Sequence, residues 1–229
     1  MVETITANKS QKILDTLKRN VESFRKMLDI AEDDLTKQNI LRAIILFSCS
    51  GIDAIVKQLV LETLEPIIER DEGAQEQLKK FTERELKNNT NYSLLADLFT
   101  ARNSRKALIE LLKQDLTFNS LQSSEQLFRV ASYFNINTDK LLYGTSKSIL
   151  NEVFSTRNII VHQMDLALDK SDVEYYQHEI EEVNKYYNAI ITVSQNFINE
   201  ANLILSKNVS NSYTPFVSIE NGALVIRNI

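Results

Sequence analysis

Four glycines and two prolines in 229 residues are few. A chain so poor in helix breakers reads as mostly helical. The same scarcity excludes a glycine-rich phosphate cradle. Tryptophan is absent and Cys49 is the single cysteine, so no disulfide framework can form and a reducing cytoplasm fits. Met1 is followed by Val2-Glu3-Thr4, without a basic stretch and apolar core, so no secretory signal is expected. Nor is there an excess of positive charge. Twenty-six basic against 31 acidic residues leave a net charge of −5, so whole-chain electrostatics does not drive strong non-specific binding to nucleic acid. Any RNA contact has to use a local basic patch.

Apolar residues make up 43% of the chain, enough for a packed interior. From Ser10, a good N-cap, Ile13, Leu14, Leu17, Val21, Phe24, Leu28 and Ala31 recur at helical spacing, with Lys12, Lys18, Arg19, Arg25 and Lys26 largely on the other faces. The longest apolar stretch, residues 40–64, is broken by Arg42, Asp53, Lys57 and Glu62. It reads as a buried central helix, and no membrane partner is expected. Gly51 in its middle implies close approach of another helix. Asp53 beside it calls for a partner. Shorter helices follow in 67–116, with Asn88-Asn89-Thr90-Asn91 as a break and Arg102, Arg105 and Lys106 as a small basic cluster. Both prolines, Pro66 and Pro215, fall where an element boundary is expected. Ser123 or Ser124 can cap a helix through Phe134, and Thr138 a short turn ending at Gly144. Two long helices are then expected: one over about 146–164, and one from Ser171-Asp172 past Leu205. Phe216 to Ile226, with Asn221-Gly222 at its centre, reads as a short C-terminal β-hairpin or tail. The expected layout is a helical domain over 1–207 and a tail over 208–229.

The helix over 146–164 carries the anomaly. At about 100° per residue, Ile149, Leu150, Val153, Phe154, Ile160, Val161 and Met164 share one arc, and Arg157 falls in its middle. A permanent charge stands where the pattern calls for an aliphatic side chain. Asn158 lies at the edge of the arc and His162 one turn beyond. Two readings are open. Arg157 could pair with a buried acid such as Asp53, with His162 an ordinary surface residue. Otherwise both line a cleft and act on a phosphodiester. His178, among Glu174, Glu179, Glu181 and Glu182, reads as part of a solvated helix face rather than a metal site. Cys49 reads as an inert core residue.

Arg157-Asn158 followed by His162, near the end of a helical chain, resembles the Arg-x(4–6)-His signature of HEPN proteins. Leu41 to Phe47 leading to Gly51-Ile52-Asp53-Ala54 resembles that family's long second helix. The run 116–142, Leu150-Asn151-Glu152-Val153, and Asp165 followed by Asp172-Val173 are similar to the RiboL-PSP-type branch, which often reads His-Glu-Gly-Asp where this chain has His162-Gln163-Met164-Asp165. The resemblance covers roughly 10–200. It implies an all-α, HEPN-like bundle of long helices and a metal-independent endoribonuclease with no cofactor. His162 would serve as general acid or base, Arg157 would stabilise charge on the phosphate, and Asn158 would orient either group, with Asp53 and Asp165 in support. Products would be a 2′,3′-cyclic phosphate and a 5′-hydroxyl. The partners implied are RNA, a second copy of the chain forming a composite site, and an antitoxin or defence-system protein. The alternative is a non-catalytic HEPN scaffold in a multi-protein defence complex.

Overall fold

The central helix is apolar on nearly every side, so it must be covered on nearly every side, and the rest of the chain is arranged to do this. In the computed structural model, which describes residues 6–88, 101, 103–167, 174–207, 215–220 and 223–228, eight helices are seen: α1 Asn8–Ile30, α2 Asp34–Arg70, α3 Glu72–Asn88, α4 Ser104–Phe118, α5 Ser124–Tyr133, α6 Thr138–Leu141, α7 Lys147–Gln163 and α8 Ile180–Leu205. Leu166–Ala167 (β1) pairs antiparallel with Glu174–Tyr175 (β2), and Pro215–Glu220 (β3) with Ala223–Asn228 (β4). Asn221 and Gly222 lie outside the described residues, as do residues 89–91 of the expected break and Arg102 of the basic cluster.

α1 and α8 lie along α2, which also meets α3, α4 and α7. Ile52, Ile55, Val56, Leu59, Val60, Leu64, Ile67 and Ile68 of α2 are fully buried, each contributing about 1.5–3 kcal/mol by leaving water. Gly51 is where α1 comes closest. A Cβ there would lie 2.5 Å from Leu17 Cδ2. The most apolar window of α2 has the length and mean hydropathy (1.8) of a membrane span, yet half of it is buried inside the bundle.

Several local expectations are corrected. Pro66 does not end α2; it lies inside the helix. Burial of Ile67 and Ile68, the two residues that follow it, outweighs one missing amide bond. Ser10 does not cap α1. It is buried, and the Glu62 carboxylate of α2 accepts from the Lys9 amide (3.1 Å), the Ser10 amide (2.9 Å) and the Ser10 hydroxyl (2.6 Å), capping α1 from a neighbouring helix. The short α6 is capped by Asn137, whose side chain accepts from the Asp139 amide at 2.7 Å, rather than by Thr138. The last long helix starts at Ile180, because residues 174–175 are taken into a strand.

Candidate functional site

Ser146 opens α7, its hydroxyl accepting from the Ile149 amide at 3.3 Å. Leu150, Val153, Phe154 and Ile160 face the core, whereas Ser155, Asn158 and His162 are exposed on the opposite side. Val161 and Met164, expected in the buried arc, are exposed. The helix ends between them, and Met164 turns out of the helical path.

Arg157 is half-buried beside α2. Burial raises the Cys49 thiol of α2, and against a smaller opposing effect of the Arg157 charge it stands at about 12. The hydrogen-bond acceptor of Arg157 among the described residues is Asn158 Oδ1, at 2.9 Å from Nη1. Asp53 is not its partner. Asp53 pairs with Lys57 at 3.1 Å and accepts from the Leu121 amide at 2.6 Å, which ties the segment before α5 to α2. The contacts Asp53 makes among the described residues are those of a structural tie. The structure brings Arg157 and Asn158 into contact and puts Asn158 and His162 one turn apart on the exposed face. Arg157 and His162, five residues apart, are about 140° apart around the axis.

Just past His162 lies a cluster that periodicity did not show. Met164 and Asp165 both take left-handed backbone (φ 53° and 61°), rare for residues other than glycine. Their amides donate to the Ile159 carbonyl, that of Asp165 at 3.3 Å. The Asp165 side chain is 1% exposed; its Oδ2 accepts from Arg42 Nε at 2.5 Å and from His178 Nε2 at 2.9 Å. Arg42 also donates to the Tyr176 carbonyl (3.1 Å) and lies over the Tyr175 ring at 5.5 Å. The His178 amide and carbonyl both bond the side chain of Gln38, at 2.9 and 3.0 Å. His178 is thus buried, in the loop before α8, and not on a solvated helix face. Asp165 Oδ1 is buried and has no hydrogen-bond partner among the described residues. One signal could have found Arg42: it is a charge inside an apolar run, as Arg157 is. Nothing local marks His178. Among the described residues no group of three or more His, Cys, Asp or Glu side chains is placed to hold a metal ion.

Along α1, next to α8, an open groove of about 540 Å³ is lined by Lys18, Arg19, Glu22, Ser23 and Lys26 of α1 and by Tyr187. Lys18, Arg19 and Lys26 make no ion pair among the described residues, whereas Lys185 and Lys140 of neighbouring elements do. Arg25 stacks on Tyr187 at 4.7 Å and donates to Asn184 at 2.7 Å.

The helical bundle with α7 at its flank is of the HEPN type. The family model for RiboL-PSP-HEPN matches residues 8–203, and the chain belongs to that family. No curated protein matches the chain, and no solved structure does.

Proposed function

We propose that the chain is a metal-independent endoribonuclease of HEPN type, with Arg157, Asn158 and His162 as its reacting face. The observation that carries this reading is the state of Arg157. It is a half-buried, permanently charged group that meets no carboxylate among the described residues and bonds only Asn158. An arginine kept for the fold would have an acid beside it. An arginine kept for a phosphate needs its donors free. His162, exposed at the end of the same helix, is the proton-transfer group. Asn158, between them, orients the guanidinium.

The angle between Arg157 and His162 argues for a two-fold dimer with two such faces across a shared cleft. Val161 on α7 and Met164 just past its end, both exposed near His162 in the sequence, offer apolar surface for a second copy to cover. The groove along α1 supplies the local basic surface that a net-acidic chain needs to hold RNA. A cytoplasmic role in bacterial defence, or as a toxin restrained by a partner protein, is the setting this activity fits.

The test is incubation of the purified protein with mixed RNA in EDTA, beside His162→Ala and Arg157→Ala. Cleavage by the wild type alone, leaving 5′-hydroxyl ends, is expected. A monomer in light scattering at micromolar concentration counts against the composite site. The net charge of −5 favours one other reading, a non-catalytic HEPN scaffold. Absence of cleavage under every condition, with wild-type-like dimerisation of both variants, selects it.

A further inference from the structure

We infer that Asp165, His178 and Arg42 form a positioning clamp that fixes where His162 stands. The inference rests on the ribonuclease reading of α7. His162 sits in the last turn of α7, where a helix frays unless its end is held. Three residues later the chain is held unusually firmly. Two consecutive non-glycine residues are left-handed, a conformation that persists only when its surroundings enforce it. The enforcing contacts come from two separate elements. Arg42 reaches in from α2 and His178 from the loop before α8, and both meet the same carboxylate oxygen of Asp165. The backbone closes the same junction, with the Tyr176 amide donating to the Asp165 carbonyl at 2.9 Å and β1 pairing with β2. His178 is in turn pinned to α2 through Gln38.

A helix end needing only a stop would be served by a glycine in the left-handed position. Here Met164 and Asp165 are used instead, and Asp165 is placed so that its carboxylate can be gripped. Because Arg42 and Gln38 belong to α2, against which α7 packs, the clamp refers the position of His162 to the helix that α7 itself rests on. The clamp side chains are buried or nearly so (Asp165 1%, His178 6% exposed), which excludes contact with substrate and leaves positioning as their action.

The experiment compares Asp165→Asn, His178→Gln and Arg42→Lys with a control, Lys113→Met, which removes another buried cation bridged to Glu65 and Glu110. Two readouts are taken on the full chain: kcat and KM on RNA, and the order of the His162 amide by nitrogen relaxation. The clamp variants are expected to lose about 10- to 100-fold in kcat with KM within about twofold, because small displacements of a reacting group cost that much. His162 is expected to become more mobile in them and not in the control. Arg42→Lys, which keeps the charge but not the fork, should fall between wild type and Asp165→Asn. If the clamp variants retain kcat and His162 order equal to the control at matched stability, the clamp is structural only and the inference is overturned. If the wild type cleaves no RNA, the ribonuclease reading fails, and the order of His162 alone decides the clamp.

Discussion

Arg42 and Arg157 should respond very differently to the same substitution. Arg42→Met leaves the Asp165 carboxylate, 1% exposed, with His178 as its one remaining side-chain partner among the described residues. Removing one member of a buried pair costs about 3–5 kcal/mol, because the other charge stays uncompensated. For a chain of this size each kcal/mol moves the midpoint by about 2–4 °C, so Tm should fall by about 6–20 °C. Arg157→Met removes a single hydrogen bond, to Asn158, worth about 0.5–1.5 kcal/mol. It also relieves a half-buried guanidinium of lost hydration and adds apolar area at about 25 cal/mol per Å². The two effects nearly cancel, and stability within about 1 kcal/mol of wild type is expected; on the ribonuclease proposal the same variant cleaves no RNA. Urea unfolding followed by circular dichroism measures both variants, with unchanged m-values as the check on two-state behaviour. A loss at Arg157→Met as large as that at Arg42→Met would mean that Arg157 is held by a charged partner, and the argument for its free donors would collapse.

Cys49 should resist alkylation at pH 8 in the native protein and react fully in guanidinium, since burial pushes its thiol up to about 12 and only the thiolate reacts; native labelling within an hour would contradict its burial. Gly73→Ala should destabilise by more than a surface change, because the new Cβ would meet the Asn135 amide at 2.1 Å; a Tm equal to wild type would show that Asn135 can swing away freely. Asp71 is pushed up by burial, but the Ala74 amide, Lys207 and Asn135 outweigh this and hold its carboxyl below the usual carboxylate range. Its stabilisation is therefore complete above the ordinary value near 3.9 and is lost as pH falls through the lower folded value. The urea midpoints of wild type and Asp71→Asn should differ at pH 7 and draw together as pH falls below the ordinary carboxylate range; a gap independent of pH would remove the ionic explanation.

The helices were legible because their causes are local. Apolar residues three and four apart mark α1 and α8, a long apolar run marks α2, and Ser123 acts as the cap expected of it. Arg157 was legible as a charge out of pattern. What escaped depends on contacts distant along the chain. Arg42 and Asp165 are 123 residues apart, and nothing in either neighbourhood announces the other. Tyr175 and Tyr176 fit the helical spacing of α8 well enough to join it, yet backbone pairing with Leu166 takes Tyr175 into a strand. Asp53 was seen correctly as needing partners and given the wrong one, since a main-chain amide and a lysine one turn away serve it as well as an arginine.

The order in which the covering helices are made has a consequence for biosynthesis. α2 is complete at residue 70, while α8, which lies along much of its length, is complete only at residue 205. At about 5–20 residues per second, the most apolar helix of the protein waits roughly 7–27 s with one flank bare. During that interval α1 can already pair with it, but the side meant for Val193, Phe197 and Ala201 is open to any apolar surface nearby. A nascent chain stalled before residue 180 would be a ready client for chaperones and a poor candidate for release.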